Sequence, residues 1–286
     1  MSEKILFIVG PTASGKSALA MDLALELNGE IISADSRAVY KGMDIGTTKP
    51  LKKEQQLVPH WGIDLVEPVD KFTASDFKAY ADEKIKEIHS RGHLPIIVGG
   101  TGLYVDGVLF DFHFSPKGDE KMLRKLDNMN VEELRKYSQK YNINLPENKN
   151  NKRYLIRQII RGGDNKISNL VPITGAIVVG ITTDRDILKA RIIQRADQLF
   201  ASGMLEEAIE MYKKYGTGYE SMTGNIYNLI ADYLDKKIDF DTLKQKNITA
   251  DWHLAKRQLT YLKRNPFIHW VTLENAKALV LQLLHD

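Results

Sequence analysis

Residues 10–17 combine a glycine-rich loop with a lysine and a hydroxyl, the residue types that bind phosphate. They read Gly-Pro-Thr-Ala-Ser-Gly-Lys-Ser, a full match to the pattern GxxxxGK[ST]. Backbone N–H groups and the N-terminus of a following helix form an anion cradle, the lysine adds a point charge, and the last hydroxyl suits Mg²⁺. The motif by itself does not identify the molecule that carries the phosphate. We predict a phosphate site, with Ser17 as the Mg²⁺ ligand, made of Gly10, Thr12, Ala13, Ser14, Gly15, Lys16 and Ser17.

A lone carboxylate, Asp35, is the second candidate for chemistry. It follows the strand-like run 30–34, whereas the apolar run 94–98 ends in Gly-Gly-Thr-Gly and has no acidic tip to hold a metal for ATP hydrolysis. Because ligands gather at the carboxyl ends of parallel strands, Asp35 and Thr101 should face the same crevice as the phosphate loop. Asp35 is then placed to act as a general base. The alternative is that it only caps the next turn through Ser36.

The elements that must position these residues alternate between strand and helix. Apolar runs at 5–9, 94–98 and 176–181 are typical of strands buried on both faces of a parallel sheet. We predict an α/β fold: a P-loop NTPase-like parallel sheet core with a small helical insertion domain and a helical C-terminal part. The predicted divisions are 1–113 for the first part of the core, 114–168 for the insertion, and 169–286 for core completion and C-terminal helices. Helices after the last strand are predicted at roughly 186–201, 203–214, 226–234, 249–264 and 274–285.

The composition of the 286 residues excludes several classes of protein. The chain has no cysteine, so it has neither disulfides nor thiolate metal sites. No apolar run approaches the roughly 20 residues of a membrane span, and the N-terminus lacks the features of a signal peptide. We expect a cytoplasmic protein that does not bind membranes and is a monomer. His60, Tyr227 and Tyr233 are expected to be structural.

The net charge of +3 is unevenly distributed. Segment 117–166 carries +6 and segment 244–270 carries +5, so the rest of the chain carries −8. Two basic segments on an acidic body indicate a polyanionic partner larger than a nucleotide. Solvated helix faces would give the same distribution, and charge alone does not separate the two interpretations.

Several sequence blocks occur together, in one order, from residue 10 to about 270. They are the P-loop, Ser-Ala-Asp-Ser-Arg at 33–37, Val-Tyr-Lys-Gly-Met-Asp-Ile-Gly-Thr-Thr-Lys-Pro at 39–50, Pro-His at 59–60, Val-Gly-Gly-Thr-Gly-Leu-Tyr at 98–104, and Ala-Lys-Arg-Gln-Leu-Thr-Tyr at 255–261. In these blocks the chain resembles the tRNA dimethylallyltransferase family. The block at 35–50 is the most specific, because P-loop kinases have no reason to share it.

The resemblance implies prenyl transfer from dimethylallyl diphosphate to N6 of the adenosine just 3′ of the tRNA anticodon (position 37). It also implies that the P-loop holds this diphosphate with Mg²⁺, rather than ATP, which accounts for the missing acidic tip. By the same resemblance Asp35 is the catalytic base, Thr101 lies near the bridging oxygen of the leaving group, and Lys16 stabilises the leaving diphosphate. The residues implied in tRNA binding are Asp35, Ser36, Arg37, Ala38, Thr101, Arg124, Lys152, Arg153, Arg157, Lys256, Arg257, Lys263 and Arg264.

Several positions depart from the family's pattern. A Gly-Tyr-Lys/Arg-Glu stretch is replaced by the segment 220–227, Glu-Ser-Met-Thr-Gly-Asn-Ile-Tyr, which contains no arginine. The arginine that grips the diphosphate is therefore absent or comes from elsewhere. Ala38, Tyr154 and Tyr261 stand where glutamine, a basic residue and tryptophan are common, and the insertion is short.

Two other functions are compatible with a P-loop. A small-molecule or nucleotide kinase would bind ATP, use Asp35 as the base, and use Arg191 with Arg195, one turn apart, as lid arginines. A non-catalytic P-loop RNA-binding protein is favoured only if the divergent segment 219–227 signals lost activity. The block at 35–50 and the two basic segments favour prenyl transfer to tRNA.

Overall fold

The computed structural model describes residues 3–114, 120–146, 148–160 and 170–285. The chain divides into two compact units, of which the first combines Met1–Asp111 with Pro172–Asp286 and the second is Phe112–Val171. Residues 115–119, 147 and 161–168 of the predicted insertion lie outside the described residues. The assignment of this insertion to tRNA contact stays a prediction.

The first unit is built on a sheet of six parallel strands. They are β1 (Ile5–Val9), β2 (Gly29–Ala34), β3 (His60–Trp61), β4 (Leu94–Gly99), β5 (Ala176–Thr182) and β6 (His269–Thr272). Their order across the sheet is β3-β2-β4-β1-β5-β6. Every residue of β1 and β4 is buried, as expected for apolar strands covered on both faces. Gly99 pairs with both Val9 and Ala34, so β1, β2 and β4 end together at one edge of the sheet.

Helices follow most strands, and the predicted α/β fold with a parallel core is confirmed. The helices are α1 (Lys16–Leu27), α2 (Lys52–Leu57), α3 (Ala74–Ser90), α4 (Gly102–Leu109), α5 (Glu120–Asp127), α6 (Val131–Lys140), α7 (Lys152–Ile160), α8 (Arg185–Ala201), α9 (Met204–Tyr215), α10 (Asn225–Leu234), α11 (Phe240–Leu262) and α12 (Leu273–His285). A 3₁₀ turn at Glu220–Thr223 precedes α10. Helices α1 and α12 pack with β-strand residues such as Leu6, Ile8 and Ile96 in one apolar cluster. Across the described ranges, no helix is long and apolar enough to cross a membrane.

Three elements differ from the sequence prediction. Helix α11 begins at Phe240 rather than at 249, because the Asp239 side chain accepts the Thr242 N–H at 2.8 Å and caps the helix there. The strands β3 and β6 were not predicted. The first has two residues and the second has exposed residues at both ends, so neither shows the continuous apolar run of a central strand.

The described part of the second unit is helical and has its own apolar cluster. The Asn130 side chain caps α6 by accepting the Glu133 N–H at 3.0 Å. The amphipathic pattern of the three helices buries one face of each and leaves their basic residues on the other. Buried residues of the cluster are Leu126, Leu134, Leu155, Ile156 and Ile159.

Candidate active site

A cavity of about 760 Å³ opens where β1, β2 and β4 end. The loops that follow these strands supply part of its wall, and residues of α10 and α11 supply another part. The structure thus brings together residues that were predicted from separate motifs. Those that line the cavity are Thr12, Ala13, Gly15, Lys16, Ser17, Asp35, Ser36, Arg37, Ala38, Thr101 and Arg257. Gly10 and Ser14 belong to the phosphate loop but do not line the cavity.

The phosphate loop has the backbone conformation of an anion-binding nest. Ala13 and Gly15 adopt positive φ values of 62° and 91°, between residues of ordinary handedness. Helix α1 starts at Lys16, so the positive end of its dipole lies at the loop. A Cβ on Gly15 would lie 2.5 Å from a methyl carbon of Leu273, so packing against α12 demands glycine as well.

Two cations meet at this loop. The Lys16 ammonium donates to the Pro11 carbonyl oxygen at 3.2 Å, and the Arg195 guanidinium donates to the Thr12 hydroxyl. Burial, followed by the charge of Arg195, lowers the pKa of Lys16 to about 8, and the charge of Asp35 opposes this shift. Like charges held together at a helix N-terminus are the electrostatic pattern of an anion site.

Arg195 does not form the arginine pair expected for a kinase lid. Its guanidinium also donates to Thr48 Oγ1 at 2.5 Å, so it joins the phosphate loop to the loop that follows β2. Arg191, one turn earlier on α8, does not line the cavity. Arg195 is therefore a fixed part of the anion site in this structure.

Asp35 caps a turn and also faces the cavity. Its Oδ1 accepts the Arg37 N–H at 2.8 Å and the Ala38 N–H at 3.4 Å. The neighbouring Ser36 N–H donates to Thr101 Oγ1 at 3.1 Å, which ties the end of β2 to the start of α4. Among the described residues, Oδ2 of Asp35 accepts no hydrogen bond, so one carboxylate oxygen shapes the turn and the other is available for chemistry.

The glycines after β4 allow close packing at the point where an acidic residue would otherwise stand. A Cβ on Gly99 would overlap the Ala34 carbonyl group, and a Cβ on Gly100 would overlap the Gln258 amide. Gln258 Oε1 accepts the Thr12 N–H at 2.8 Å, which holds α11 against the phosphate loop. The end of β4 therefore packs closely against its neighbours and has no side chain that could bind a metal.

Arg37, predicted to bind tRNA, is directed at segment 220–227. Its guanidinium donates to the Glu220 carbonyl oxygen, to the Ser221 carbonyl oxygen at 3.4 Å and to Thr223 Oγ1 at 3.0 Å. Arg37 also lines the cavity, so it fixes the divergent segment beside the site.

A buried carboxylate lies close enough to Arg195 for their charges to interact. Asp251 on α11 is 6% exposed and accepts a hydrogen bond from the Asn225 amide. Burial raises the pKa of Asp251 to about 6, against the opposing effects of Arg195 and Asn225. Above that pH the ionised carboxylate offsets part of the positive charge at the loop.

The cavity fits a P-loop type of magnesium site. Ser17 is exposed on the first turn of α1, next to Lys16, and lines the cavity. Within the part of the chain that the structure describes, no group of three or more His, Cys, Asp or Glu side chains is arranged so that it could hold a metal ion. Mg²⁺ commonly takes few protein ligands and completes its shell with phosphate oxygens and water, so one hydroxyl beside a phosphate cradle is a compatible donor set.

The basic residues predicted for RNA lie on helical surfaces of both units. In the second unit, Arg124, Arg153 and Arg157 are exposed and Lys152 is half-buried. On α11 and the turn after it, Lys256, Arg257, Lys263 and Arg264 are exposed. A second, open cleft on α11 is lined by His253, Lys256, Arg257, Thr260, Tyr261 and Arg264. Aromatic and basic side chains in one cleft suit a nucleic-acid strand.

Sequence reasoning left several site residues without a role. Gln258 lies in the Ala-Lys-Arg-Gln block and Thr48 lies in the block at 39–50, but neither block specifies a hydrogen-bond partner. Arg195 was considered only for the kinase. Tyr227 is buried as predicted, but its hydroxyl also donates to Glu207, and no motif indicates this hydrogen bond.

His60 lines the cavity. Its Nδ1 is bonded to the Val58 carbonyl oxygen at 2.8 Å, and burial lowers the pKa of the imidazole.

Comparisons with known proteins cover nearly the whole chain. The family described as IPP transferase matches residues 38–265, and the family described as isopentenyl transferase matches residues 3–64. A tRNA dimethylallyltransferase of Thermoanaerobacter sp. (strain X514) is 38% identical over 97% of this chain and 94% of its own length. That of Bacillus cereus (strain B4264) is 37% identical over 94% of this chain and 89% of its own length.

The chain is also similar to solved structures of transferases that act on tRNA. The crystal structure of a full-length tRNA isopentenylpyrophosphate transferase from Bacillus halodurans has a TM-score of 0.75 and 33% identity, covering 99% of this chain and 96% of that one. A eukaryotic dimethylallyltransferase acting on tRNA has a TM-score of 0.76 at 20% identity, covering 98% of this chain and 77% of that one, and supports the fold alone.

The lowered pKa of Lys16 predicts that anion binding weakens in alkaline solution. Lys16 is charged below about pH 8 and loses its proton above it. A bound diphosphate favours the charged form, so its dissociation constant should rise above about pH 8 by up to about tenfold per pH unit. Calorimetric titration with inorganic diphosphate and Mg²⁺ between about pH 7 and 9.5 measures this dependence.

Lys16→Arg is the matched control for that titration, because arginine keeps its charge throughout the range. The ionisation of diphosphate itself affects both proteins alike and cancels in the comparison. The dissociation constant of Lys16→Arg for diphosphate should change less with pH than that of the wild-type protein. Equal dependences in the two proteins would contradict a titrating Lys16.

Proposed function

The chain belongs to the IPP transferase family, and on that premise we propose how its site modifies tRNA. The chain is a tRNA prenyltransferase. The proposed reaction transfers a dimethylallyl group from dimethylallyl diphosphate to N6 of the adenosine next to the anticodon on its 3′ side, at position 37, and releases diphosphate. A monomeric state and a cytoplasmic location are the accompanying predictions.

The proposal rests on one observation: Asp35 lines the same cavity as the two cationic side chains, Lys16 and Arg195. Lys16 and Arg195 suit the phosphate end of a donor, and the available oxygen of Asp35 suits the proton of an incoming nucleophile. Thr101 is tied to the same turn through Ser36. The glycine tip of β4 offers no carboxylate for the metal arrangement of ordinary ATP hydrolysis.

The donor end of the site stabilises a leaving group. As the bond between the allylic carbon and the bridging oxygen breaks, negative charge gathers on the diphosphate. The amides of the phosphate loop, Lys16 and Arg195 are placed to bind that charge. When bound at Ser17, Mg²⁺ supplies further charge stabilisation to the phosphate oxygens.

The acceptor end must activate a weak nucleophile. The lone pair of an adenine N6 amine is delocalised into the ring, so bond formation to the allylic carbon requires loss of a proton from nitrogen. Oδ2 of Asp35 accepts that proton in the proposed mechanism, while Oδ1 keeps its bonds to the Arg37 and Ala38 N–H groups. The base must leave its stack to reach the cavity.

Arg195 is the proposed replacement for the arginine that segment 220–227 lacks. Arg37 also lines the cavity, but its guanidinium is bound to that segment through carbonyl oxygens and Thr223. Arg195 instead contacts Thr12 in the phosphate loop. Its planar guanidinium can bind two phosphate oxygens through two parallel N–H groups, a planar geometry that a lysine ammonium does not offer.

The first experiment tests the reaction itself. Wild-type protein incubated with labelled dimethylallyl diphosphate, Mg²⁺ and bulk tRNA should place label in tRNA and should not turn over ATP. Lys16→Ala, which removes the point charge at the leaving group, is the control that should lose incorporation. Steady phosphate release from ATP without label in tRNA would establish the kinase instead.

The second experiment tests the base. Asp35→Asn keeps an oxygen that can accept the Arg37 N–H, so the turn should persist while proton transfer is lost. The single-turnover rate should fall by about 10²–10⁴-fold, with tRNA affinity nearly unchanged. Asp70→Asn is the matched control, since Asp70 also accepts a turn N–H, that of Glu67 at 3.1 Å, and does not line the cavity. Undiminished transfer in Asp35→Asn would remove Asp35 from the mechanism.

The third experiment tests RNA binding by the basic helices. Arg153→Ala and Lys263→Ala should each raise the KM for tRNA and leave the rate at saturation close to wild type, because both side chains are exposed and lie outside the cavity lining. Each lost phosphate contact should reduce the log–log salt dependence of binding by about 0.7–0.9. Lys213→Ala, an exposed lysine on α9, is the control for charge alone. Unchanged affinity and salt dependence in both variants would show that these surfaces are only solvated.

A further inference from the structure

Glu207, on α9, binds the backbone of the loop that follows β2. Its carboxylate accepts three consecutive N–H groups, those of Asp44 at 2.8 Å, Ile45 at 2.7 Å and Gly46 at 2.9 Å. A carboxylate with three amide donors is a strong, directional anchor, because each bond is charge-assisted. Glu207 does not line the cavity, so it can act on the cavity only through the groups that it binds.

A buried tyrosine completes the anchor. The Tyr227 hydroxyl donates to Glu207 Oε1 at 2.5 Å. Burial and the adjacent Glu207 charge raise the pKa of Tyr227, so the hydroxyl keeps its proton and remains a donor. A Cβ on Gly46 would lie 2.5 Å from this hydroxyl, so the glycine lets the loop approach the Glu207–Tyr227 pair.

Lys49, at the other end of the same loop, adds a second set of contacts. Its ammonium donates to the Tyr40 carbonyl oxygen at 2.7 Å, to Asp44 Oδ1 at 2.7 Å and to Asp64 Oδ1 at 2.5 Å. Between the two anchors, Thr48 adopts a positive φ of 53°, a conformation that a β-branched residue adopts only when its surroundings impose it. The loop is therefore fixed at both ends around a strained residue.

Thr48 is the residue that this loop presents to the anion site. Its Oγ1 accepts a hydrogen bond from one nitrogen of Arg195 at 2.5 Å, and the other terminal nitrogen binds the Thr12 hydroxyl in the phosphate loop. A free arginine side chain samples many rotamers, so a second hydrogen bond reduces the entropy lost when an anion binds.

We propose that Glu207 is a positioning residue for the diphosphate of the donor, acting through the loop Asp44–Thr48 and Arg195. Glu207 fixes the loop, Thr48 fixes the guanidinium, and Arg195 is held ready at the phosphate loop beside Lys16. The inference rests on the proposed function for the identity of the donor. The affinity for inorganic diphosphate tests the positioning without requiring prenyl transfer.

Two variants interrupt the proposed path from Glu207 through Thr48 to Arg195, each at a different residue. Glu207→Gln places an amide donor against the loop N–H groups, and Thr48→Val removes the hydroxyl that holds Arg195 while keeping a β-branched side chain of similar size. Both should weaken the binding of inorganic diphosphate with Mg²⁺, Glu207→Gln by about 10–100-fold and Thr48→Val by a smaller factor. The KM for dimethylallyl diphosphate should rise in parallel, with the KM for tRNA unchanged. Glu210→Gln, an exposed position one turn further along α9, is the control that should match wild type.

A double-mutant cycle separates positioning from general loosening of the fold. If Glu207 acts through Arg195, Glu207→Gln should add little to the loss of diphosphate affinity already caused by Arg195→Ala. Fully additive losses, or wild-type affinity in Thr48→Val, would overturn the proposal, and Thr48→Val decides the matter if Glu207→Gln does not fold. Wild-type protein that binds diphosphate but places no label in tRNA would refute the proposed function and leave this inference standing.

Discussion

Arg195 of α8 lies close enough to Lys16, at the phosphate loop, for its charge to lower the pKa of Lys16. Two neighbouring cations repel each other, so the surrounding structure must hold both in place before an anion binds. The Pro11 carbonyl oxygen binds Lys16, while hydroxyls from two separate loops bind Arg195.

Ionisable groups that are buried next to this cation pair lose their favourable contact with water, which costs free energy of folding. Asp251 is removed from water and titrates near pH 6, which means that its environment disfavours the charge it carries at neutral pH. The shift increasingly opposes folding as pH rises from 3.8, the ordinary pKa of Asp, to about 6, and the charge is kept close to Arg195. The fully buried strands β1 and β4 provide the apolar burial that offsets such costs.

Close backbone approach at the sheet edge explains why this P-loop lacks an acidic residue after β4. A side chain at Gly99 would collide with the Ala34 carbonyl group, and one at Gly100 would displace the Gln258 amide. The space is taken by α11, whose Gln258 accepts a phosphate-loop N–H. In the proposed mechanism the base is Asp35 at the end of β2, where one carboxylate oxygen caps the turn and the residue lines the cavity.

The sequence by itself determined the parallel core, the phosphate loop and the position of Asp35, because each depends on local patterns: buried apolar runs, a spaced glycine motif and a residue at a strand end. The roles of Arg195, Gln258 and Glu207 depended on tertiary structure. Their partners are Thr12, Thr48 and loop N–H groups that are about 150 or more residues away in the chain. The short strands β3 and β6 and the early start of α11 were missed for a related reason. A two-residue edge strand and a single capping aspartate give local patterns that are too weak for prediction from sequence. Packing against the rest of the fold determines whether these elements form and where they begin.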